Sequence, residues 1–329
     1  MALDKTPWFV GGGAQHSPEV ARLVLYAGTG GAEGVASTDG LKVTPQAVAN
    51  GTVRVMPGAA LLRNRYAGGS AQTYAVRNPS ATDLPVTATG SAGGRTDLVV
   101  ARVLDSQYEG QPPTDPTTFD YSRLQIIEGV PAGTRTAEEL GLTYPAVALA
   151  RITLPASTGT VTAAHITDVR TLAQPRSTSE LRPHRDVTSG NTRLLTSTAE
   201  AGEQFPPYSQ ETLLVPEWAT RMQLRVDWIA VHYSGTTKRG EYWVSFGPNG
   251  TELTSRRYAF DPAENGTVGS RDAWLLGDQV SIPASMRGRT IQIRPRARII
   301  PGTGDSGTIG MDLQSAIVFE ARFQETIEG

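Results

Sequence analysis

The chain lacks cysteine, has only four histidines, and contains no apolar run of 18 residues. Each lack closes a class of function. Without cysteine there are no disulfides, thiolate metal sites or cysteine nucleophiles, and the redox compartment stays undecided. The histidines, His16, His165, His184 and His232, are scattered along the sequence. None sits in a His-x-x-x-His pattern, no Gly-x-Ser-x-Gly accompanies them, and no cluster offers the three or four ligands that zinc requires. No cofactor is expected. The glycines at 28, 30, 31 and 34 precede no Lys-Ser/Thr, which argues against a phosphate loop. With a formal charge of −2, no global field draws the protein to nucleic acid or to an anionic membrane. Missing apolar runs argue against membrane insertion. Residues 1–5 lack the basic flank and apolar core of a signal peptide, so the expectation is a soluble protein made in a cytosol, which can still be part of a larger particle.

What is abundant is turn chemistry. The 329 residues include 35 glycines and 22 prolines, above the usual shares of about 7% and 5%, and this favours many short strands over long helices. The length suits two domains. After a Gly-rich arm carrying Trp8 and Phe9, Ser17, Pro18 and Glu19 predict one short capped helix with Val20, Leu23 and Val24 on its apolar face, ended by Gly28. Alternating runs then predict a meander of antiparallel strands, centred on Asp97-Leu98-Val99-Val100-Ala101-Arg102-Val103 and its echo Ala148-Leu149-Ala150-Arg151-Ile152-Thr153-Leu154. Pro112-Pro113-Thr114-Asp115-Pro116 predicts a surface excursion between them.

The order Asn50-Gly51-Thr52-Val53-Arg54-Val55-Met56-Pro57-Gly58-Ala59-Ala60, Gly94-Arg95-Thr96-Asp97-Leu98-Val99-Val100-Ala101-Arg102, Leu149-Ala150-Arg151-Ile152 and Ile166-Thr167-Asp168-Val169-Arg170 resembles the minor tail and baseplate proteins of tailed bacteriophages, especially those of actinobacteria. The resemblance covers roughly residues 15–172. It implies a non-enzymatic structural module at the tail tip, built as an oligomer and carrying a variable C-terminal domain. The family supplies no catalytic residues. Its recognisable polar positions here are Arg95, Asp97, Asp168 and Arg170, read as strand-end ion pairs or turn caps.

The division expected from the sequence is an arm and helix over 1–34, a β domain over 35–172 anchoring to the tail, a linker over 173–192, and a C-terminal domain over 193–329. The linker reading rests on Pro, Ser, Thr and charge with almost no apolar content. In the last domain, Met222, Leu224, Val226 and Trp228 alternate onto one face, as do Tyr242, Val244 and Phe246 opposite Trp243. Met311, Leu313, Ile317, Phe319 and Phe323 are expected to share another. Turns at 248–250, 264–266 and 301–304 separate these runs, so the fold class is mainly β, with an antiparallel sandwich or jelly roll at the C-terminus.

Two features there point to binding. Arg294, Arg296 and Arg298 share one face of a strand that Pro295 marks as an edge, a candidate site for phosphate-bearing or acidic polymers or for a neighbouring subunit; charged edges also guard against aggregation. Tyr233, Tyr242, Trp243, Tyr258 and Trp274 offer rings on which a glycan could stack. The expected function is therefore a virion structural protein of the tail tip or baseplate, not an enzyme, whose C-terminal domain adheres to the host surface. It would work as a homo-oligomer, a trimer above other states, beside other tail proteins. The alternatives are a purely structural spacer and a tail-associated glycan hydrolase, for which Asp261 with Glu264, or Asp272 with Asp278, are the candidate carboxylates.

Overall fold

The strand Arg95–Val103 has both faces covered, which is why its sequence is a near-continuous apolar run rather than an alternating one. Val99, Ala101 and Val103 join one core, and Leu98 and Val100 join a second. In a computed structural model that describes residues 10, 12–184, 192–235, 238–261, 269–302 and 306–327, this strand is the middle of an antiparallel sheet. It pairs with Ala146–Leu154 on one side and Ser122–Ile127 on the other, and Ile166–Asp168 extends the sheet beyond Ala146–Leu154. The echo strand presents Val147, Leu149, Ile152 and Leu154 to the first core and the small residues Ala146 and Ala148 to the second. Two three-stranded antiparallel sheets complete this unit, which spans Met1–Pro175 with Ile327–Gly329.

The helix forms over Pro18–Thr29, with Ser17 accepting from the Val20 amide at 3.2 Å and Gly30 closing it at φ 62°. Its expected apolar face does not dock: Leu23 and Val24 are exposed, and the buried residue is Arg22. The guanidinium explains this reversal. It donates to Gln72, Asp105 and Gln107 at 2.6, 3.1 and 2.9 Å and lies 5.0 Å from the centre of the Tyr74 ring. The Trp8–Phe9 part of the arm lies outside the described residues.

Arg176–Thr326 is the second unit, a mainly β fold of two six-stranded antiparallel sheets around one core. In the first sheet Ser177–His184, Ala316–Gln324, Arg221–Ser234 and Ser270–Ser281 lie side by side. In the second, Thr290–Ile300 runs between Arg239–Gly247 and the short strands Glu203–Gln204 and Glu211–Leu214. The alternation of Met222, Leu224, Val226 and Trp228 is as the sequence predicts, and all four are buried.

Three expectations change. The segment read as linker contains a strand, Ser177–His184, paired over eight positions with Ala316–Gln324. Its backbone is held by the ladder while its side chains stay largely exposed, so it carries no apolar signature. Leu313 is 45% exposed because the chain turns there, with the Ser315 amide bonded to the Asp312 carbonyl. Thr290–Ile300 is an interior strand, not an edge. The Pro295 carbonyl accepts from the Phe205 amide, and its missing N–H faces that same side, between Glu203–Gln204 and Glu211–Leu214, where the neighbouring ladder is interrupted.

Candidate functional site

The arginine ladder stands on the outer face of the second sheet because strand geometry alternates. Ile291, Ile293, Ala297 and Ile299 go into the core, and Gln292, Arg294, Arg296 and Arg298 stay partly exposed on the other side. Cross-strand pairing places Trp243 opposite Arg296, Glu241 opposite Arg298 and Ser245 opposite Arg294. One surface therefore does bring the arginines and one of the expected aromatics together.

Two of the guanidinium charges on that surface are met by carboxylates, and the other two only by neutral acceptors. Arg298 bonds Glu241 at 3.0 Å and pairs with Glu200; Arg257 pairs with the same two carboxylates at 2.5 Å (Glu200) and 3.2 Å (Glu241). Arg296 donates to the carbonyls of Ala201 and Gly202, and Arg294 to the Gln292 amide oxygen. For Arg296, burial and then the neighbouring Arg294 charge pull the pKa below its ordinary value. Burial works to raise Glu200, but Arg298 and Arg257 outweigh it and hold that carboxyl below its usual 4.5. Whatever Glu200 contributes is thus present above about pH 4.5 and is lost as pH falls through the lowered value.

Trp243 is 2% exposed. The Arg257 guanidinium lies 4.3 Å from its ring centre, and Gly202, at φ 59°, brings a loop so close that any Cβ there would strike the ring. Tyr233 and Trp274 are buried too. The Trp274 indole N–H donates to the Tyr233 hydroxyl, and its ring is stacked between Phe260 and Tyr242 at 4.5 and 5.0 Å. Tyr258 is half-buried, and its hydroxyl donates to the Gly277 carbonyl at 2.7 Å while that of Tyr242 donates to Leu275 at 3.0 Å. These two hydroxyls cap carbonyls of the Ser270–Ser281 strand. The aromatic set is therefore core and strand cap, not an open platform for sugar rings. The physical reason is that four of the five rings are buried, and the half-buried Tyr258 has its hydroxyl committed to a strand carbonyl.

Arg95 and Asp97 are a two-pronged ion pair in the first unit, at 2.8 and 2.9 Å, and the fully buried Asp97 carboxylate also accepts from the Gly129 amide at 3.0 Å. Arg170 pairs with Asp168 at 2.6 Å and donates to the Gly40 carbonyl at 2.6 Å. Both pairs tie loops to strands. The hydrolase carboxylates fare differently. Asp272 and Asp278 sit on one strand six residues apart, roughly 20 Å along an extended chain, whereas a glycosidase pair needs about 5–9.5 Å. Glu264 lies outside the described residues. Among the described residues no three His, Asp or Glu side chains group as metal ligands, and no helix is long and apolar enough to cross a membrane.

Sequence reading missed Glu200, Glu241, Arg257 and Gly202, whose roles depend on strand register and loop return. It also missed Tyr208, which is 74% exposed at φ 64° and is signalled only by the turn chemistry of Pro206-Pro207-Tyr208-Ser209. Replacing Glu200 with Gln is expected to leave Arg257 and Arg298 sharing the single carboxylate of Glu241, one negative charge fewer on that face. Retention on a polyanion column should rise, with little change in melting temperature.

No known family model matches the chain, and no curated protein matches it. Among solved structures, the infectious bursal disease virus Gx strain has 8% identity and a TM-score of 0.20 over 85% of this chain and 76% of that one. The VP2 subviral particle of the same virus gives 8% and 0.19 over 90% and 74%. The mosquito-larvicidal Cry4Aa toxin of Bacillus thuringiensis gives 8% and 0.21 over 90% and 52%. Likenesses at this level carry no argument about the fold or role of this chain.

Proposed function

We propose that the chain is a virion structural protein of the tail tip or baseplate of a tailed bacteriophage. In this reading the first unit anchors it to the tail and the second is the host-facing head. One observation carries the proposal. The stretches that resemble the tail and baseplate family fall on paired strands of a single unit, and their Arg95–Asp97 and Asp168–Arg170 positions are ion pairs that hold that unit's loops. The resemblance therefore marks a scaffold, as a tail module requires. The proposal assigns no catalysis to the chain. Adhesion would work by copy number, since linked weak sites gain about 10²–10⁴ in avidity.

A second reading is a spacer whose C-terminal unit packs only against other tail proteins. The burial of Trp243, Tyr233 and Trp274 and the internal neutralisation of Arg298 favour it. The two readings separate by displaying the full chain on a multivalent fluorescent scaffold and titrating it onto actinobacterial cells and their purified wall polymers. Saturable binding that weakens when Arg294 and Arg296 are replaced by Gln is the result expected of a head. Absence of binding across a broad strain panel selects the spacer.

A further inference from the structure

Among the described residues, the strand Ser177–His184 is the outermost strand of its sheet and pairs only with Ala316–Gln324. Its two edges can be told apart. The Arg176 carbonyl accepts from the Glu325 amide at 3.0 Å, so residues of even number turn their backbone groups toward Ala316–Gln324. Ser177, Ser179, Leu181 and Pro183 turn theirs outward. Pro183 therefore costs the existing ladder nothing. The strand is also bare on its faces: Leu181 is 63% exposed, and only Glu180 and His184 are even half-buried. An edge of this length left open is a template for another strand.

We propose that this edge pairs with the same strand of a second copy, antiparallel about a two-fold axis through Leu181. The charge pattern selects that register. Centred there, each Glu180 stands directly opposite Arg182 of the second copy, the two residues that already pair at 2.6 Å within one chain. Opposite charges facing across an antiparallel pair are favourable, and like charges are not. Shifting the centre by one residue would set Glu180 against Glu180. Backbone groups of Leu181 bond each other across the axis, and the Ser179 amide reaches the carbonyl of Pro183 on the second copy. Two bonds are lost to the missing proline N–H, which disfavours longer stacking on this edge. A self-complementary patch of this kind closes after two copies and gives a two-fold dimer. The pairing gives a dimer where the sequence favours a trimer. It is tested apart from the tail assignment, because a chain monomeric in solution refutes the pairing while association with tail particles is read separately.

Sedimentation equilibrium of the full chain tests it. A pairing this small is expected to dimerise weakly, since interfaces below ~1,200 Å² belong to the transient class, and the dimer fraction should rise with loading concentration. Glu180→Arg and Arg182→Glu, made singly, should each weaken the dimer about tenfold or more, since each creates two like-charge contacts by symmetry. The double exchange should restore it. Circular dichroism identifies any variant that has lost its fold, and Leu181→Asp supplies an independent disruption at the axis. A chain that stays monomeric throughout overturns the proposal. So does an oligomer indifferent to either single reversal, or a folded double exchange that does not recover.

Discussion

Trp274→Ala is expected to lower the melting temperature of the second unit by about 10 °C. The ring is 3% exposed and stacked between Phe260, at an interplanar angle of 4°, and Tyr242, at 21°. Phe205 and Trp228 lie 5.7 and 6.2 Å away. Removing a large aromatic from such a core costs about 3–5 kcal/mol, because the cavity cannot fully collapse. In a unit of this size each kcal/mol moves the transition by roughly 2–4 °C. Trp274→Phe keeps the stacking but removes the indole N–H that donates to Tyr233, so a smaller loss of about 1–2 kcal/mol is expected. Calorimetry on the full chain reads both. An unchanged melting temperature together with lost cell binding would instead make Trp274 a contact residue.

Asp97→Ala is expected to destabilise the first unit by about 3 kcal/mol, the scale of breaking a buried ion pair by removing one partner. The fully buried carboxylate holds the Arg95 guanidinium by two hydrogen bonds and the Gly129 amide by a third. Its loss leaves Arg95 with the Thr87 carbonyl and the more distant Glu128. Arg95→Ala should cost at least as much, because it leaves the fully buried Asp97 carboxylate with the Gly129 amide alone. Chemical unfolding followed by near-ultraviolet circular dichroism distinguishes the two. Equal, negligible losses would remove these residues from the scaffold role given to them here.

Periodicity made the strands legible and hid what lies between them. Met222 to Trp228 and Arg294 to Arg298 alternate along a single strand, so their faces follow from local geometry alone. The strand Ser177–His184 was not legible because a strand with exposed faces has no apolar rhythm, and its partner lies more than a hundred residues away. Pro295 suggests an edge, and the actual accommodation is a break in the neighbouring ladder. The arginine face was legible as charge and not as balance. Glu200 reaches it from a loop and Glu241 from the adjacent strand, through a register that no local pattern encodes. Trp243 correctly leaves the face of Tyr242, Val244 and Phe246, yet Arg257 and the Gly202 loop cover it from outside.

The most direct test of the central claim is antibody labelling of purified phage particles from a lysate in which this chain is made, viewed by electron microscopy. The account predicts gold at the distal end of the tail and co-purification of the chain with intact particles. Chain recovered only free of particles, or label confined to the capsid, would contradict it.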